Sequence, residues 1–87
     1  MSDMDSITHD TIAKIYDELT HARNKFPHNT HLTVALMEEV GEMAKDILEG
    51  DWELARREAA QVAAVAIRII EEGDGDFGMP KKVLRNR

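Results

Sequence analysis

Between Ala59 and Ile70 the chain carries only two polar residues, Gln61 and Arg68. The stretch holds no glycine or proline and is built from alanine, valine and isoleucine. A helix that is apolar nearly all round has to be buried nearly all round. Two neighbouring helices in a chain of 87 residues cannot cover it alone. The pattern therefore predicts an all-α fold completed by a second copy, as a four-helix-type bundle shared across a symmetric interface. The alternative is a further helix from the C-terminal tail, but that tail is polar and glycine-rich.

Two more helices are legible upstream. The first is expected from Ser6 to Lys25, where Ile12, Ile15, Leu19, Ala22 and Phe26 recur every three or four residues. Pro27 stops it, because proline disfavours helix at the residue before it. The second is expected from an N-cap at Thr30 to Glu49, with Gly50 at the C′ position. Its apolar face would be Leu32, Leu36, Val40, Met43 and Ile47. The third opens at an Asp51 N-cap and ends before Gly73. So short a break at Gly50-Asp51 predicts an antiparallel hairpin. Residues 1–73 form one domain in this reading. Residues 74–87 read as a basic, flexible tail holding Lys81, Lys82, Arg85 and Arg87, with Pro80 able to open a last turn.

Composition narrows the function. Acids outnumber bases by 17 to 11, which disfavours duplex nucleic acid as a partner. Bound divalent cations could still invert the local charge for a small anionic substrate. There is no cysteine to form a disulfide or a thiolate metal site. No apolar run approaches the roughly 18 residues of a membrane span, and the first thirty residues lack a signal peptide's apolar core. A cytoplasmic protein without a membrane partner is the expectation.

The second helix contains Glu38-Glu39-Val40-Gly41-Glu42. Residues three and four apart share a helix face, so Glu38 and Glu39 each stand beside Glu42, and Asp46 and Glu49 extend the arc. The third helix adds Glu58 and Gln61, again three apart. Closing the hairpin could set these groups opposite one another. Such a set of hard oxygen donors suits Mg²⁺ or Mn²⁺. An acidic arc on a helix is otherwise simply a solvated face. Gly41, mid-helix at a cost near 1 kcal/mol relative to alanine, predicts a close approach there. Glu58 and Gln61 need partners on a helix that is otherwise apolar.

The stretch Ala35-Leu36-Met37-Glu38-Glu39-Val40-Gly41-Glu42-Met43-Ala44-Lys45, followed by Glu58-Ala59-Ala60-Gln61-Val62-Ala63, resembles the MazG-like branch of the all-α nucleotide pyrophosphohydrolases. That family's pattern is Glu-Glu-x-x-Glu, a variable spacer, then Glu-x-x-Asp. Fifteen residues separate Glu42 from Glu58 here. The resemblance covers roughly Phe26 to Gly73. It implies hydrolysis of nucleoside or deoxynucleoside triphosphates between the α and β phosphates, giving monophosphate and pyrophosphate. It implies Mg²⁺ or Mn²⁺ as cofactor and a homodimer or homotetramer with sites formed between helices. Glu39, Glu42 and Glu58 would be metal ligands. Glu38 would be a further ligand or would position the attacking water. Gln61 stands where the family has aspartate. Its amide oxygen can reach a metal but brings no charge, which leaves reduced activity, binding through a water, or lost catalysis. A non-catalytic nucleotide-binding or scaffold protein of the same fold is therefore the rival reading. Phosphoribosyl-ATP pyrophosphohydrolase-like activity is a nearer one.

Several further residues have two readings. His28 and His31 either contact substrate or are exposed loop histidines. Lys45 meets a phosphate or pairs along its own helix. Arg68 reaches phosphate or Glu72. Trp52 stacks on a base or packs at a helix start. The basic tail covers phosphates or stays disordered.

Overall fold

A computed structural model describes residues 2–83. It contains three α-helices, α1 (Asp3–Lys25), α2 (Leu32–Leu48) and α3 (Trp52–Glu72), then a 3₁₀ turn over Gly75–Phe77. No strand occurs among the described residues, only an isolated bridge between Asp74 and Met79. The all-α expectation holds.

Helix α1 begins earlier than its apolar spacing suggests. Ser2 caps it, accepting a hydrogen bond from the Asp5 amide at 3.2 Å, while Asp5 Oδ2 accepts one from the Ser2 amide. This reciprocal capping box satisfies two otherwise orphaned donors. The helix ends before Pro27, as expected. Of its proposed apolar face only Leu19 is buried, whereas Ile12 and Phe26 are exposed.

Helix α3 is capped by Asp51, whose carboxylate accepts from the Leu54 amide. The break before it is as short as expected, and Gly50 takes a positive φ of 76°. Helix α2 is different. The expected Thr30 cap is absent, and the chain enters the helix through His31 at φ 62°, with no capping bond from its own side chain. The caps come from beyond α3. Asp74 Oδ2 accepts from the Thr33 amide at 2.8 Å and from the Thr33 hydroxyl at 2.6 Å. Asp76 Oδ2 accepts from the His31 amide at 2.9 Å.

The segment expected to be a flexible tail is thus folded back over its first residues. Asp74 is 2 % exposed, and the Thr33 hydroxyl bond holds its carboxyl below the usual aspartate range. Gly73 is required at this corner. It adopts φ +68°, and a Cβ there would collide with the carbonyl oxygens of Met79 and Pro80. Lys81 and Lys82 are exposed, and Arg85 and Arg87 lie outside the described residues.

Helix α3 lies in the middle. It packs on α2 and on α1, whereas no Cα of α1 comes within 8 Å of one of α2. The result is flat, 40 × 34 × 18 Å, with a radius of gyration of 14.7 Å. A compact domain of this length would have roughly 12 Å. Few side chains are fully enclosed, and the buried apolar residues are Leu19, Leu32, Ala55 and Ala64.

Helix α2 meets α3 along a stripe shifted from its apolar face. Leu32 and Asp46 are its buried residues, and Glu39, midway between them, is half-buried. Steps of seven keep these three in line. Val40 and Ile47, expected inside, are 40 % and 45 % exposed. The close approach expected at Gly41 is also not met within the chain, since nothing lies within 4 Å of where a Cβ would stand. Gly41→Ala should accordingly raise stability by about 1 kcal/mol in urea melts of dilute protein. A loss instead would reveal a neighbour against Gly41 that this chain does not itself provide.

Candidate metal centre and its cleft

The Gly50-Asp51 turn folds α2 back on α3 and brings Glu58 against the acidic stripe of α2. One carboxylate oxygen from each of Glu39, Glu42 and Glu58 can be chosen so that all lie within 4.8 Å of one another. Two of the residues motif-matched in sequence, three apart on α2, thus converge with a third from α3. Glu38 is exposed and stands outside this group.

The three acids sit in an unusual state for carboxylates. Glu39 Oε2 and Glu58 Oε2 are both shielded from solvent, and neither has a hydrogen-bond partner. When both groups are ionised no donor lies between them. A proton on Glu58 supplies one, and Glu39 accepts it. That bond is the main reason the Glu58 carboxyl is pushed up to about 7 from 4.5. Burial and the Glu39 charge push in the same direction, contact with Glu42 opposes, and the charge of Asp46 adds to the rise. Near neutral pH Glu58 is therefore about half protonated. Two orphaned oxygens, with the exposed Glu42 carboxylate beside them, fit a small divalent cation, which would satisfy them without a proton.

Asp46 belongs to this neighbourhood although it lies outside the Glu-Glu-x-x-Glu stretch. Its signal in sequence was its place seven residues after Glu39, on the stripe that turned out to face α3.

Beside the acids, α1 and α2 diverge over α3 and leave a cleft of about 670 Å³. That volume falls in the range of small-molecule sites. Glu39 and Gln61 line it, so the acidic group opens onto the cleft through Glu39. Its far wall comes from α1, with Glu18, His21 and Lys25, and its rim from the loop holding His28 and His31. His21 and Lys25 were missed in sequence. They are four apart on α1, and only the splaying of α1 from α2 turns that face toward the acids.

The secondary candidates separate clearly. His28 is exposed on the rim. His31 also lies there, with Nδ1 3.0 Å from Asp76 Oδ2, so its ring is engaged by the folded-back segment. Lys45 is exposed, does not line the cleft and forms no ion pair among the described residues, so the intrahelical bridge is not made. Trp52 is 59 % exposed at the start of α3 and does not line the cleft.

Arg68 takes the Glu72 option. It is 2 % exposed, with Nε and Nη2 donating to the two Glu72 carboxylate oxygens, each at 2.9 Å. Nη2 also donates to the carbonyls of Phe26 and His28 at 2.8 and 3.1 Å. Arg23 reaches the same Glu72 from α1 at 2.8 Å and Glu71 at 2.7 Å. The Arg68 bond, with Arg23 assisting against burial, holds the Glu72 carboxyl below its usual range. Arg68 thus fastens the loop between α1 and α2 to the end of α3. Donors committed in this way make Arg68 a structural clamp, and its side chain also lines the cleft.

No helix of the described residues is long and apolar enough to cross a membrane. Compared with protein-family models, curated proteins and solved structures, the chain matches none of them.

Proposed function

We propose that the chain is a divalent-cation-dependent nucleotide pyrophosphohydrolase, cleaving nucleoside triphosphates with water into monophosphate and pyrophosphate. The observation that supports this best is the convergence of Glu39, Glu42 and Glu58 within 4.8 Å, with two buried unpaired oxygens, at the edge of a cleft large enough for a nucleotide. In this reading those three residues hold Mg²⁺ or Mn²⁺. A cation of this kind neutralises phosphate charge and lowers the pKa of a bound water.

The chain's own groups would divide the remaining work. Glu39, facing both cluster and cleft, presents the cation side of the site to the phosphates. Glu38, outside the cluster, is left with orienting the attacking water. Gln61 lies on the cleft wall one turn from Glu58 and offers an amide oxygen without charge. His21, Lys25 and His28 give the opposite wall and rim their donors for the rest of the substrate. The MazG-like resemblance of the sequence points to the same chemistry.

A homodimer or homotetramer belongs to this proposal. It would cover the apolar side chains that the flat monomer leaves open, among them Val40, Ile47 and Ile70.

One observation favours a second reading, a non-catalytic nucleotide-binding protein. Gln61 supplies no carboxylate where the resembling enzymes have one. A panel of ribo- and deoxyribonucleoside triphosphates, with phosphoribosyl-ATP included, separates the two. Pyrophosphate release in Mg²⁺ or Mn²⁺, abolished by chelator, is the expected result. Saturable binding without product would favour the second reading, and neither binding nor product would remove both.

A further inference from the structure

Asp46 is the one buried acid of α2, at 8 % exposure, yet its carboxylate has no hydrogen bond or ion pair among the described residues. It lies one turn after Glu42 and two turns after Glu39, on the stripe pressed against α3. Glu58 on α3 feels its charge. The neighbouring Lys45 is exposed and contributes no counter-charge. Its oxygens are not among the solvent-shielded, unpartnered ones, so water reaches them, but a carboxylate set among like charges is costly unless something positive compensates it. Three other acids beside it make the cost larger, and no basic side chain removes it.

A divalent cation held by the neighbouring acids would supply that compensation. Asp46 lies outside the three-residue group whose oxygens converge within 4.8 Å, so it is suited to act at one remove. Magnesium-type ions usually keep several of their waters, and those waters need acceptors. Gln61, one turn along α3 from Glu58, is neutral. With Asp46 the centre has four carboxylates, Glu39, Glu42, Asp46 and Glu58, in place of the three left by the glutamine.

Resting on the cation centre proposed above, we infer that Asp46 is its fourth carboxylate, a positioning residue that accepts hydrogen bonds from cation-bound water and supplies the charge that Gln61 lacks. It therefore sets the affinity for the divalent ion. The two positions are complementary, so a carboxylate at residue 61 substitutes for one at residue 46.

Titration of the full chain with Mn²⁺ alone, following free Mn²⁺ by its paramagnetic resonance signal, tests this without turnover. Asp46→Asn should weaken binding about 10–100-fold. Adding Gln61→Asp to that variant should recover most of the loss. A thermal melt in chelator supplies the control on folding. There Asp46→Asn should raise the melting temperature, since it removes like charge near Glu58. Unchanged Mn²⁺ affinity in Asp46→Asn, no recovery in the double variant, or a lower melting temperature in chelator would each overturn the role of Asp46. Failure of the unsubstituted chain to bind Mn²⁺ would overturn the cation centre as a whole, a separate and recognisable result.

Discussion

Glu58→Gln is expected to reduce cation-dependent pyrophosphate release at least about 100-fold while making the chelated protein more stable at pH 8. Both effects come from one cause. Glu58 stands against Glu39 with a solvent-shielded, unpartnered oxygen on each side. With a cation bound those oxygens are ligands, and without one they repel. Glutamine keeps the shape, loses one charge and adds an amide donor that Glu39 can accept from.

The pH dependence has a definite sign. The Glu58 carboxyl is raised to about 7 in the fold against 4.5 in a free chain. The folded chain therefore holds this proton more tightly than the unfolded chain does. The stability linked to it is complete below about pH 4.5 and disappears as pH rises to about 7. In chelator the unsubstituted protein should lose melting temperature across that window, and Glu58→Gln should lose less. Stability curves of equal slope in the two proteins, together with retained turnover, would contradict the arrangement.

Arg68→Met is expected to cost about 3–5 kcal/mol, the range for removing one partner of a buried ion pair. Marginal stabilities of about 5–15 kcal/mol make this a large fraction of the total. The substitution strands the Phe26 and His28 carbonyls and leaves Glu72 with Arg23 alone. Arg68→Lys should rescue only part of the loss, because an ammonium cannot reproduce the planar two-nitrogen contact with Glu72. Urea melts measure the cost. If Arg68 mainly met phosphate, Arg68→Met would instead leave the melt unchanged and raise KM.

Much of the architecture was legible from local rules. Pro27, Gly50 and Asp51 mark helix ends by fixed backbone preferences, and the structure places breaks at each. That acids of the second helix could face Glu58 followed from helical spacing and a short hairpin turn, whereas the particular set of Glu39, Glu42 and Glu58 came from the family resemblance. What failed depended on contacts distant in sequence. Thr30 had the right chemistry for a cap, but Asp74, more than forty residues later, provides it instead. The second helix was assigned its inward face by hydropathy, through Val40 and Ile47. In the structure α3 packs on the line of Leu32, Glu39 and Asp46. Hydropathy identifies faces that avoid water, and it cannot distinguish the face meeting α3 from one left for another copy. Arg68 had two candidate partners in sequence, and only the fold puts the carbonyls of Phe26 and His28 within its reach.

The two walls of the cleft are anchored very differently. Helix α2 is a beam clamped at both ends, by the Gly50-Asp51 turn and by the Asp74 and Asp76 clip on its first turn. Helix α1 is a cantilever, held near Leu19 and Arg23, with every described residue before Ile15 exposed. Deformation concentrates where support is missing. When the width of the groove adjusts to a guest, the travel therefore belongs to α1, while the acids on α2 keep their spacing from Glu58.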